Sequence, residues 1–152
     1  LVFQKDCNIS RNDEVISSIE NPYSKEGGLK LLKGNIGRSV IKTSALKESQ
    51  LYIKAPAIVF ETQSALKEAF SRGELNKDFI AVVKFQGPKA NGMPELHGLL
   101  PIMGLIQNQG FKVAIVTDGR MSGASGKVPS AIHLTPEAVE GGMINNIRNL
   151  WK

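Results

Sequence analysis

The chain has 152 residues, 41% hydrophobic and 22% charged, with a formal net charge of +5 and one cysteine. That length suits one domain with a real core, and no apolar run approaches the roughly 20 residues that cross a bilayer. Cys7 alone excludes an internal disulfide and, from this chain's own ligands, a thiolate-held iron–sulfur cluster.

The lysines are spread from Lys5 to Lys152 without a dense block, and no aromatic residues alternate with them. That argues against nucleic acid, leaving a solvated surface first and a small anionic substrate second. Leu1-Val2-Phe3-Gln4 is too short for a secretory signal, and low cysteine use agrees with a cytoplasmic location. A chain that begins without methionine is expected to be a fragment, a processed product or an engineered piece.

Residues 1–20 have weak periodicity and read as a lead-in ending at the turn Asn21-Pro22-Tyr23. Leu29 to Leu32 and Ser39 to Thr43 flank Gly34-Asn35-Ile36-Gly37, a turn between two strands. Ala57 to Phe60 is a strand that feeds a helix with Thr62 as N-cap, an apolar stripe of Ala65, Leu66, Ala69 and Phe70, and Gly73 as terminator. Phe79 to Val83 is continuously apolar, as a strand buried on both faces must be. A Gly/Pro-rich loop runs from Gly87 to Pro94, and Glu95 to Gln109 is helical in pattern, with Pro101 expected to break or kink it. Val113 to Val116 is another buried strand and Ala131 to Leu134 a returning one; Thr135-Pro136-Glu137 reads as a helix start with N-cap, N1 proline and first-turn acid. Alternating strands and helices make an α/β fold, whose site is expected on loops at the carboxyl ends of the strands.

Two such loops carry reactive groups. Asp118 to Lys127 is neither a phosphate-binding P-loop nor a dinucleotide fingerprint, and Gly119 stands three residues before Ser122, one too many for a nucleophile elbow. It reads as an anion-friendly loop with Arg120, Lys127 and two hydroxyls, or equally well as a tight strand-to-helix connection. Glu95, after Asn91-Gly92-Met93-Pro94, reads first as a first-turn acid that complements a helix dipole. His97 and His133 lack metal-ligand spacing, and Asp118 is expected to bind backbone amides of its own loop.

The stretches Gly87-Pro88-Lys89-Ala90-Asn91-Gly92-Met93-Pro94-Glu95-Leu96 and Val116-Thr117-Asp118-Gly119-Arg120-Met121-Ser122-Gly123-Ala124-Ser125-Gly126-Lys127-Val128-Pro129 resemble the C-terminal domain of the dihydroxy-acid and phosphogluconate dehydratases. Asn21-Pro22-Tyr23-Ser24, Gly34-Asn35-Ile36-Gly37-Arg38 and Gly73 to Phe79 extend the likeness, which is greatest to the members acting on 6-phosphogluconate. The resemblance implies a swivelling β/β/α domain over residues 21–152, shortened at its C-terminus, with a mixed barrel-like sheet flanked by helices. The family's N-terminal domain, which carries the iron–sulfur cluster ligands, is absent from the chain and would be its partner in a full-length homodimer.

The chemistry implied is dehydration of 6-phospho-D-gluconate to 2-keto-3-deoxy-6-phosphogluconate, in the cytoplasm, with no nucleic acid or membrane involved. Glu95 stands at the family's magnesium-ligand position in Gly-Met-Pro-Glu, and a hard carboxylate oxygen suits that ion. Ser122 stands where the family's serine serves as catalytic base, a role that needs cations and amide donors to stabilise its alkoxide. Arg120 and Lys127 are placed to orient substrate anions. The isolated chain is expected to be inactive. The alternatives are a dehydratase of another sugar acid or dihydroxy acid, or a non-catalytic anion-binding module. Two departures from the pattern are Ala124, where some relatives carry a substrate-binding threonine, and the run from Met143 to Lys152, which replaces further strand material.

Overall fold

A computed structural model describes residues 12–122 and 126–149. Residues 12–28 form turns and bends, and the first regular element is the hairpin of β1 (Leu29–Gly34) and β2 (Gly37–Lys42). Their register closes on Gly34 opposite Gly37, as the glycine-flanked turn predicts. Gly37 has a φ of +133°, and a Cβ there would overlap the Thr135 carbonyl oxygen. Only glycine fits that position.

Four more strands follow: β3 (Ala57–Phe60), β4 (Phe79–Val83), β5 (Val113–Thr117) and β6 (Ser130–Thr135). The sheet order is β1-β2-β6-β5-β4-β3, with β3 to β6 mutually parallel and β1 and β2 antiparallel. The expected α/β class with a mixed sheet flanked by helices is therefore what the chain adopts. The apolar run of β4 is buried on both faces because successive side chains alternate across a strand. Phe79, Ala81 and Val83 join a core with Leu66, Ala69, Met103 and Ile106 of the helices, while Val82 joins Leu134, Ala138 and Ile144 on the opposite face.

Helix α1 (Gln63–Ser71) starts where Thr62 predicts, its hydroxyl accepting from the Ala65 amide at 3.1 Å, and Gly73 follows at φ +75°. Three local expectations are corrected. The Gly/Pro-rich loop contains one helical turn, α2 (Pro88–Asn91), begun by a proline whose missing N–H costs nothing in a first turn. Pro101 likewise stands in the first turn of α3 (Leu100–Asn108), so the helix begins there and Pro101 does not kink it; a 3-10 turn, His97–Leu99, precedes it. Thr135-Pro136-Glu137 starts no α-helix. The Thr135–Pro136 peptide is cis, a 3-10 turn follows at Ala138–Glu140, and the Glu137 carboxylate faces another loop.

The segment after the Ala138–Glu140 turn folds back on the sheet. Ile144 is fully buried, Asn149 Oδ1 accepts from the Val59 amide at 2.6 Å, and Lys84 Nζ donates to the carbonyls of Asn145 and Ile147 at 3.2 and 3.3 Å. Among the described residues no helix is long and apolar enough to cross a membrane.

Candidate functional site

Because β4 and β5 are adjacent and parallel, the chain leaves both at the same edge of the sheet. Beyond the strands the two loops stay in contact. Glu95 and Arg120 form an isolated parallel bridge, and the Leu96 amide donates to the Arg120 carbonyl at 3.1 Å. Leu96 is fully buried and Met121 nearly so, which anchors each loop in the core beside the half-buried Glu95 and the exposed Arg120 and Ser122. Gln63 of α1 adds a further tie, its Nε2 donating to the Glu95 carbonyl at 3.2 Å.

The carboxylate of Glu95 lies sideways across the gap between the loops. Oε1 accepts from the Ser122 amide at 2.7 Å and Oε2 from Arg120 Nη1 at 2.8 Å, while Arg120 Nε donates to the Met93 carbonyl at 2.9 Å. The reading of Glu95 as a first-turn helix acid is therefore corrected: the following 3-10 turn has Leu96 as its N-cap, and the Glu95 side chain serves the neighbouring loop. Glu95, Arg120 and Ser122 come together. Their chemistry combines a hard oxygen donor, a fixed cation and an exposed serine at one spot.

Lys127 is held elsewhere. Its carbonyl accepts from Gln50 Nε2 at 3.0 Å and Gln107 Nε2 at 3.1 Å, at the C-terminal end of the helix whose N-terminal end follows Glu95. Gly123, Ala124 and Ser125, like Cys7, lie outside the described residues, so the Ala124 departure has no structural reading.

Asp118 was expected to bind amides of its own loop; among the described residues its carboxylate instead accepts from two other segments, Oδ1 from Gln86 N and Oδ2 from Ala138 N, both at 2.9 Å. Glu137 was missed as a site-shaping residue; it is buried and accepts from Lys89 N and Ala90 N. An acid after a buried strand was a signal for Asp118, whereas the helix-start pattern around Glu137 pointed away from its role.

Among the described residues no group of three histidine, cysteine or carboxylate side chains converges. Glu95 is a partly exposed carboxylate with lone pairs beyond those used by Ser122 and Arg120. It suits one position in the shell of a magnesium ion, which takes one or two protein carboxylates and completes its octahedron with other oxygens.

Residues 14–150 match the family model described as dihydroxy-acid/6-phosphogluconate dehydratase C-terminal. The chain is 55% identical over 149 residues to the phosphogluconate dehydratase of Helicobacter pylori, covering 98% of this chain and 24% of that protein. It is 58% identical over 139 residues to the phosphogluconate dehydratase of Rhizobium meliloti, covering 91% and 23%. With the dihydroxy-acid dehydratase of Acetivibrio thermocellus it shares 40% identity over 143 residues, covering 91% and 25%. The chain thus spans about a quarter of the length of the curated relatives it matches.

Proposed function

We propose that this chain, which belongs to the dihydroxy-acid/6-phosphogluconate dehydratase family as its C-terminal domain, supplies one wall of a hydro-lyase active site. The reaction is conversion of 6-phospho-D-gluconate to 2-keto-3-deoxy-6-phosphogluconate and water, a step of the Entner–Doudoroff pathway. The observation that carries this reading is the junction of Glu95 and Ser122 at the shared end of β4 and β5. The greater identity to relatives named for phosphogluconate than to one named for a dihydroxy acid supports the substrate.

In this reading Ser122 takes the proton from the carbon beside the substrate carboxylate, the hydroxyl on the next carbon leaves as water, and the enol ketonises. A proton at that position is weakly acidic, so the developing enediolate needs fixed positive charge close by. Arg120, tethered to Met93 and Glu95, presents such a charge without having to reorganise. Glu95 is one magnesium ligand. Bound there, magnesium would supply a charge for the substrate carboxylate, and an iron–sulfur cluster, whose ligands would have to come from the preceding domain, would supply Lewis acidity at the leaving hydroxyl. Residues 1–20 then form the lead-in from that domain, residues 21–152 the swivelling unit, and the whole enzyme a cytoplasmic homodimer. Lys127 remains a proposed substrate contact only for a substrate that reaches the far end of α3.

The test joins this chain to the preceding three-quarters of a relative and compares substrates anaerobically. Preferential turnover of 6-phosphogluconate over gluconate and over dihydroxy acids is the expected result. Preference for a dihydroxy acid would overturn the substrate, and binding of phosphogluconate by the isolated chain would favour an anion-binding module instead.

A further inference from the structure

The loops after β4, β5 and β6 are joined at their bases into a closed ring by two buried carboxylates. Asp118 links the loop after β5 to the loop after β4 through Gln86 N, and to the segment after β6 through Ala138 N. Glu137 in that third segment returns to the first loop, accepting from Lys89 N at 3.1 Å and Ala90 N at 3.3 Å. Asp118 is 2% and Glu137 6% exposed. Buried carboxylates this well supplied with amide donors are strong, directional ties, because charge-assisted hydrogen bonds exceed neutral ones and leaving either side unpaired is costly.

Close packing reinforces the ring. A Cβ on Gly87 would overlap Glu137 Oε2, and one on Gly119 would lie 2.7 Å from Gln86 Cβ and 2.8 Å from Leu96 Cδ1. The tips of the same two loops carry Glu95 and Ser122. Their separation is therefore set twice: at the tip by the Glu95 bond itself, and at the base by Asp118.

We propose that Asp118, with Glu137 as its complement, is a positioning residue that holds the base-bearing and metal-bearing loops in reactive register. The inference rests on the roles given above to Ser122 and Glu95. Neither ring carboxylate touches the reacting atoms; each acts through backbone.

Asp118→Asn keeps the shape but turns one acceptor into a donor that faces an N–H. In the complete dehydratase it is expected to lower kcat about 100-fold, the scale of a misplacement near 1 Å, with KM nearly unchanged. Hydrogen exchange should show the Ser122 amide losing protection while α1 and α3 keep theirs. Glu137→Gln, which retains one oxygen for Lys89 and Ala90, should give the same split in smaller measure, and it decides the matter if Asp118→Asn does not fold. Variants that melt lower yet keep kcat and Ser122 protection would make the ring merely structural and overturn the proposal. Ser122→Ala run alongside separates the two ideas. If that variant is dead while Asp118→Asn is fully active, only the positioning role falls. If Ser122→Ala is fully active, the base assignment falls, and the exchange data alone judge the ring.

Discussion

The Ser122 amide donates to Glu95 Oε1 at 2.7 Å, so the residue assigned as base and the residue assigned as metal ligand are joined by a bond that uses the serine backbone. The two functions can therefore be removed separately. Ser122→Ala leaves the amide and the Glu95 geometry in place, and should cost at least about 100-fold in kcat with little change in substrate affinity. Glu95→Gln keeps the shape but loses the charge, and should weaken magnesium binding, with partial rescue by added magnesium. Turnover and metal titration on both variants check this; substantial activity in Ser122→Ala at saturating substrate would assign the base elsewhere.

Gly119 is a packing requirement between the two loops. Its backbone carbonyl accepts from His133 N at 2.9 Å and its own amide donates to Thr117 Oγ1 at 2.9 Å, which leaves it no direction in which to yield. Gly119→Ala should destabilise the domain by roughly 1–3 kcal/mol, the usual cost of overpacking. Denaturant unfolding of the chain measures it directly. A neutral result would mean that Gln86 and Leu96 give way.

Much of this fold was legible because its strands are short apolar runs set off by turn residues: β3 and β4 begin and end where the pattern places them, and Thr62 and Gly73 bracket α1. What escaped is what tertiary contacts decide. Periodicity from Glu95 to Gln109 could not show that Pro101 stands in a first turn, and the cap-like Thr135-Pro136-Glu137 opens only a 3-10 turn that stops at the left-handed Gly141, with the Glu137 carboxylate bound to Lys89 and Ala90. The two-loop site followed from two neighbouring buried strands, yet the functional roles came only with the family resemblance. Lys127 shows the limit of spacing: five residues from Ser122, its backbone is fastened to Gln50 and Gln107 at the other end of α3.

Lys84 gives the fold a pH signature. Burial first, and the Arg148 charge next, hold its ammonium below the ordinary value of 10.5, with Glu61 pulling weakly the other way. Below the lowered folded value both states carry the proton, and this group adds no pH dependence. Between that value and 10.5 the unfolded chain binds more protons than the folded one, so stability rises with pH through that window and levels off above it. Denaturant midpoints across the alkaline range should rise in the parent chain relative to Lys84→Met. Parallel curves would show that Lys84 is as well solvated folded as unfolded.

Arg120 separates two ways in which a cation can serve a carboxylate ligand. Its pair with Glu95 is half exposed on the arginine side, so its removal should change stability by no more than about 1 kcal/mol. If Glu95 holds magnesium as proposed, a guanidinium 2.8 Å from Oε2 would repel a second cation on the same carboxylate. Arg120→Ala should therefore tighten magnesium binding by on the order of tenfold, the opposite of Glu95→Gln, while lowering kcat because the enediolate loses its fixed charge. Arg120→Lys keeps the charge but cannot reach both Met93 and Glu95 with a planar fork. It should bind magnesium as the parent does and still lose turnover. If Arg120→Ala instead weakened magnesium binding, the arginine would be aligning the ligand rather than competing with the ion, and its charge would act before the substrate arrives.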